Sequence, residues 1–215
     1  MDKKSDIAAL LRRARFVPVV TIERAEDGPK LARALVRGGL PAIEITLRTK
    51  AALGAIEAIA RDVPDALPGV GTVLEPGDLA RAHKAGARFA FSPGFTPDLL
   101  KAASTPGALP FIPGVGTAAE AMQARAAGFH VLKFFPAEQS GGIPALKALY
   151  GPLPDLLFCP TGGITEANAR DYLSQPNVVA IGSSMVTPSA EMNAGQWDKI
   201  AERSRKMRAL VRGNI

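Results

Sequence analysis

The chain has 215 residues, 47% apolar and 21% charged, a balance that suits one globular domain able to bury a full core. Its net charge of +6 comes from dispersed basic residues without interleaved aromatic rings, so an anionic small substrate explains the sign and nucleic acid is disfavoured. The single cysteine, Cys159, excludes an internal disulfide framework, and two histidines, His83 and His130, leave little material for a His-rich metal site or a Ser/His/Asp triad.

In chain order, MDKKSDIAALLRRAR predicts a short amphipathic helix rather than a secretory signal, because its apolar run is brief and flanked by charges of both signs. Eight short apolar runs follow: VPVVTI (17–22), AIEITL (42–47), PGVGTV (68–73), FAFSP (89–93), PFIPGV (110–115), HVLKFFP (130–136), LFCPTGG (157–163) and VVAIGSS (178–184). Between them lie segments with helical spacing, such as KLARALVRGG and LGAIEAIARD, several closing on glycine. Strands that are apolar throughout, and not alternately polar, are buried on both faces, as in a parallel sheet covered by helices. Eight such units at intervals of about 20 to 27 residues predict a closed (β/α)8 TIM barrel with an extra N-terminal helix, one domain over 1–215. A doubly wound open sheet is the main competitor. The basic stretch ERSRKMRALVR reads as a solvated helix face, and Trp197 and the scattered methionines read as helix packing. No apolar stretch approaches the roughly 20 residues of a membrane helix, so the expected setting is soluble, reducing and cytoplasmic.

Barrel chemistry sits at the C-terminal ends of strands. The polar residues at those ends are Glu44, Thr46 and Arg48, then Thr72, Ser92, Lys133, Thr161, Ser183 and Ser184. Lys133 is the only lysine or arginine inside any predicted strand core, framed by Val131, Leu132, Phe134 and Phe135. Desolvation among apolar neighbours disfavours an ammonium and yields the neutral amine that attacks a ketone; the alternative is a lysine that snorkels to the rim or pairs structurally with Glu44. Glu44 is placed to exchange protons with an imine or a substrate hydroxyl, and Arg48 offers a planar fork for a carboxylate. TGGI (161–164) and IGSS (181–184) end consecutive strands where barrels build phosphate sites from backbone N–H groups near a helix start. Cys159, without a histidine partner, reads as a buried inert thiol, and His130 begins its strand at the end away from the chemistry.

EITLRT (44–49), GVGTVL (69–74), FSPG (91–94), IPGV (112–115), LKFFPAE (132–138), CPTGGI (159–164) and IGSS (181–184), in that order, closely resemble the 2-keto-3-deoxy-6-phosphogluconate aldolases. The resemblance implies a class I, metal-free and cofactor-free aldolase, normally a homotrimer, that yields pyruvate and glyceraldehyde 3-phosphate in the Entner–Doudoroff pathway. It implies that Lys133 forms the Schiff base and Glu44 shuttles protons. Arg48 and Thr72 would hold the pyruvyl carboxylate, Thr161 would contact the substrate near its reacting hydroxyl, and Pro93 and Phe135 would wall the lysine. Gly162, Gly163, Ser183 and Ser184 would receive the phosphate. Departures are small: Gly116 stands where many relatives have serine, and AEQSGG (137–142) varies a loop. Cleavage of 4-hydroxy-2-oxoglutarate is an expected side activity. The rivals are an aldolase for the C4 epimer, 2-keto-3-deoxy-6-phosphogalactonate, a metal-dependent phosphosugar epimerase, and a non-catalytic binder of phosphorylated metabolites.

Overall fold

A computed structural model describes residues 3–212. Strands β1 (Phe16–Val20), β2 (Ala42–Thr46), β3 (Leu67–Gly71), β4 (Ala90–Phe91), β5 (Phe111–Ile112), β6 (Gly114–Val115), β7 (Val131–Phe134), β8 (Leu157–Pro160) and β9 (Ile181–Ser183) are joined by helices. Every strand pairing is parallel: one sheet runs β5-β4-β3-β2-β1-β9 and another β6-β7-β8. The two sheets are arcs of one closed barrel. β5 and β6 are a single stave interrupted at Pro113, which has no N–H to donate, and its carbonyl still accepts from Lys133 N at 2.9 Å. A parallel bridge between Thr161 and Gly182 closes β8 against β9. The eight expected runs are therefore eight staves, the fifth split, and the open doubly wound sheet is excluded.

The strands alternate between two apolar clusters, which explains their unbroken hydrophobicity. Ile43, Leu132 and Phe158 point outward into the layer beneath the helices. Val17, Ala42, Ile112, Val131 and Cys159 point inward. The inward cluster continues into Ile7, Ala8, Leu11 and Ala14 of α1 (Lys3–Ala14), so the predicted N-terminal helix plugs the N-terminal mouth of the barrel. Alternation then places Glu44 and Thr46 two and four residues beyond Ala42, Lys133 two beyond Val131, and Thr161 two beyond Cys159, all toward the interior of the open mouth.

Two packing expectations need correction. The basic C-terminal stretch lies in α10 (Trp197–Arg212), which is amphipathic and not merely solvated: Ile200, Ala201, Ser204, Met207 and Val211 are buried. The Arg208 guanidinium also donates to the Arg13 and Ala14 carbonyls at the end of α1, at 3.1 and 2.9 Å. Met192 and Met207 pack in the core as expected, but Met122 is one of the few exposed large apolar side chains. Among the described residues no helix is long and apolar enough to cross a membrane.

Candidate active site

The open mouth is organised around one buried ion pair. The Lys133 ammonium donates to Glu44 Oε1 at 2.9 Å, with the side chains 6% and 1% exposed. Glu44 lies on β2 and Lys133 on β7, so only barrel closure brings them together. The Phe91 and Phe135 ring centroids each lie 5.3 Å from Nζ, which gives the cation two aromatic faces as well as a carboxylate. A proton can pass along the Lys133–Glu44 bond without leaving the protein, leaving a neutral amine beside a carboxylic acid.

Room for the carboxylate comes from a missing side chain. A Cβ at Gly71 would lie 2.2 Å from Glu44 Oε1 and 2.6 Å from its Cγ. The next residue, Thr72, has φ 58°, a left-handed conformation that a β-branched residue adopts at a cost of about 1–3 kcal/mol. Such strain persists where the surrounding structure fixes it, and here it sits at the β3 exit, beside the ion pair. Arg48 is exposed two residues past β2, with no side-chain partner among the described residues, which leaves its fork available to an incoming anion. Pro93 and Phe135 are half-buried at the exits of β4 and β7.

The other polar strand ends have structural duties. The Thr46 hydroxyl donates to the Val20 carbonyl at 2.9 Å, and the Ser92 hydroxyl donates to Gly94 O at 2.5 Å while accepting from Gly114 N. Thr161 is buried beside the pair, its hydroxyl only weakly bonded to Cys159 O at 3.4 Å. Burial, and then the Glu44 charge, push the Cys159 thiol up to about 12, which keeps it protonated and inert. His130 is at the opposite mouth, where it approaches Asp155 at 3.1 Å.

Gly162 and Gly163 form a turn with φ 101° and 78°. Their N–H groups and that of Ser184 donate to no protein acceptor among the described residues. The carbonyls of the turn are all engaged: Gly162 O accepts from Glu138 N at 3.2 Å, Gly163 O from Asn168 Nδ2 at 3.1 Å, and Ile164 O from the Ser183 hydroxyl at 2.9 Å. Carbonyls held inside and N–H groups left free make an anion-binding concavity. The expected helix start is not its source, since α8 (Ala169–Leu173) begins six residues after Gly163. Ser183 is 8% exposed with its hydroxyl occupied, so it braces the turn, while Ser184 is exposed.

Sequence reasoning passed over Phe91, Gly71, and the Glu138, Asn168 and Tyr172 side chains behind the turn. Gly71 was detectable in principle: Gly69 and Gly71 alternate within PGVGTV, a sign that bulky groups crowd the inward face of that strand. Among the described residues no three His, Cys, Asp or Glu side chains gather in a set that could hold a metal ion.

Residues 7–203 match the aldolase family described as "KDPG and KHG aldolase", the abbreviations standing for 2-keto-3-deoxy-6-phosphogluconate and 4-hydroxy-2-oxoglutarate. The KHG/KDPG aldolase of Escherichia coli is 46% identical over 203 residues, covering 94% of this chain and 95% of the relative. The 2-dehydro-3-deoxy-phosphogluconate aldolase of Pseudoalteromonas atlantica is 47% identical over 197 residues, covering 92% and 91%. The crystal structure of KDPG aldolase from Legionella pneumophila, with pyruvate captured as a covalent carbinolamine, superposes with a TM-score of 0.90 at 42% identity, covering 93% of this chain and 96% of that one. The chain belongs to the KDPG and KHG aldolase family.

Proposed function

We propose that this protein is a class I aldolase, a carbon–carbon lyase that cleaves 2-keto-3-deoxy-6-phosphogluconate to pyruvate and D-glyceraldehyde 3-phosphate, with 4-hydroxy-2-oxoglutarate as a second substrate. The observation that carries this reading is the buried 2.9 Å pair of Lys133 and Glu44 at the open mouth of the barrel. The carbinolamine in the Legionella relative is an adduct of pyruvate with an amine, and Lys133 is the amine that the interior of this mouth offers.

In the reaction, Glu44 holds the ammonium proton and neutral Lys133 Nζ attacks the C2 ketone. Glu44 returns that proton to the C2 hydroxyl, water leaves, and the resulting protonated imine is an electron sink conjugated to C3. Glu44, directly or through a water, then takes the C4 hydroxyl proton, a role in which general-base catalysis contributes roughly 10²–10⁴-fold. The C3–C4 electron pair moves into the imine, the aldehyde leaves, and the enamine is protonated at C3 and hydrolysed to pyruvate. Arg48 and Thr72 hold the pyruvyl carboxylate, Pro93 and Phe135 wall the reacting carbons, and Thr161 faces the C4 hydroxyl. The N–H groups of Gly162, Gly163 and Ser184 take the phosphate, and Ser183 fixes them. The chain acts as one barrel domain over 1–215, in the cytoplasm and as a homotrimer, as the family resemblance implies.

Borohydride reduction in the presence of pyruvate tests the chemistry: Lys133 gains the mass of reduced pyruvate and Lys133→Ala does not, whereas an unmodified wild-type chain refutes the Schiff base. A parallel assay with both C4 epimers tests the substrate. Equal or inverted preference overturns the gluconate assignment.

A further inference from the structure

The phosphate end of the mouth rests on a pair that makes no contact with it through a charge or a free donor. Tyr172 on α8 is fully buried, and its hydroxyl donates to Glu138 Oε1. The Glu138 side chain lies flat over Gly163: a Cβ there would come within 2.3 Å of Glu138 Cγ and 2.8 Å of its Cβ. The Glu138 backbone N–H is the group that holds the Gly162 carbonyl, and its own carbonyl accepts from Gly141 N at 3.2 Å. Tyr172 and Glu138 also meet over Gly142, where a Cβ would lie 3.2 Å from the phenol oxygen and 3.6 Å from Oε1.

We propose that the Tyr172–Glu138 hydrogen bond is a positioning device for the phosphate site, setting the peptide planes of Gly162 and Gly163 so that their N–H groups face the anion. A two-glycine turn is otherwise the most pliable backbone available, and a concavity of N–H groups binds an anion only while its peptides stay aligned. Asn168 and Ser183 hold the far side of the turn through the Gly163 and Ile164 carbonyls. The near side depends on Glu138, whose side chain is at the surface and is held across the turn by the phenol. Neither residue touches the reacting carbons. Their influence falls on the affinity of phosphorylated substrates and leaves the imine chemistry at Lys133 to the other side of the mouth.

This inference rests on the proposed aldolase function, and the test separates the two. KM is measured for 2-keto-3-deoxy-6-phosphogluconate and for unphosphorylated 4-hydroxy-2-oxoglutarate in wild type, Tyr172→Phe and Glu138→Gln. Tyr172→Phe should raise the phosphorylated-to-unphosphorylated KM ratio roughly five- to tenfold, the equivalent of one hydrogen bond's net worth, with kcat for the phosphorylated substrate within about twofold. Glu138→Gln keeps an acceptor for the phenol and should hold the ratio at the wild-type value or below it. A Tyr172→Phe ratio within twofold of wild type, or equal changes on both substrates, overturns the proposal. If Tyr172→Phe does not fold, Glu138→Ala takes its place under the same criteria. A wild-type enzyme unable to cleave the phosphorylated acid overturns the function itself, a result distinct from either.

Discussion

Gly71→Ala should cripple catalysis while leaving the barrel folded. The added methyl group would start 2.2 Å from Glu44 Oε1, and ordinary contact begins at 3.4 Å, so the carboxylate must retreat by about 1.2 Å if β3 holds its place. A shift of that size breaks the 2.9 Å bond to Lys133. Displacements near 1 Å at a reacting group cost on the order of 10² in rate, so kcat should fall about 100-fold. Overpacking adds about 1–3 kcal/mol of destabilisation, a fall in Tm of roughly 2–12 °C for a chain of this size. The assay follows pyruvate release through lactate dehydrogenase, with circular dichroism and thermal unfolding as fold controls. Gly69→Ala, at Glu44's register partner on β3, is the comparison on the same strand: its Cβ would meet the Phe89 ring at 2.1 Å and not the Glu44 carboxylate, so it should lose stability with a smaller loss of kcat per folded molecule. A Gly71→Ala enzyme within threefold of wild-type kcat would refute the claim that this glycine exists to seat Glu44.

Two further outcomes follow from ionisation. The Cys159 thiol ionises from about 9 in the unfolded chain but is pushed up to about 12 in the fold, so between those values the unfolded chain has lost a proton that the folded one keeps; stability falls as pH rises, by up to about 1.4 kcal/mol per pH unit from this group. Urea unfolding of wild type and Cys159→Ala between pH 9 and 11 should show the shallower slope in the variant, and native protein at pH 8 should resist iodoacetamide. The Glu120 carboxyl is held low, first by the Gly116 N–H and then by Thr117 in the α6 (Ala118–Ala126) capping box. Its contribution is present above the unfolded value of 4.5 and lost as pH falls. Because the residue is solvent-exposed, Glu120→Ala should cost no more than about 1 kcal/mol at pH 7 and less at pH 3, and an equal loss at both would show that charge plays no part.

The helix-covered parallel sheet was legible because its inward and outward strand faces are both apolar, and the count of eight units pointed to a closed barrel rather than an open sheet. The break at Pro113 was harder to read, since PFIPGV looks like one run, and the stave does continue across it through the Pro113 carbonyl. Lys133 stood out as the one cation inside a predicted strand core, and Glu44 because it ends a different strand at the same mouth. The GG and GSS segments pointed to the phosphate end, but their division of labour was hidden. Whether Ser183 offers its hydroxyl to a ligand or spends it on Ile164 O depends on how two staves meet, which no local pattern encodes. Tyr172 and Glu138 were illegible for the same reason: 34 residues separate them, and α8 brings them together.

The mouth thus has two parts with separate supports. The lysine side is built from β2, β3, β4 and β7, where Glu44, Gly71, Phe91 and Lys133 crowd into a space with almost no water access. The proposed phosphate side consists of the turn peptides after β8 and β9, fixed from behind by Ser183, Asn168 and the Tyr172–Glu138 bond. On this reading only the first makes and breaks the imine, and the second adds binding energy from a group remote from the reacting carbons. Such a division accounts for a family described by both a phosphorylated and an unphosphorylated substrate, because losing the phosphate would remove contacts from one side and leave the chemistry of the other in place. On the proposed assignment, selectivity between the two substrates depends on the rigidity of a two-glycine turn, and Tyr172 and Glu138 tune it from behind that turn.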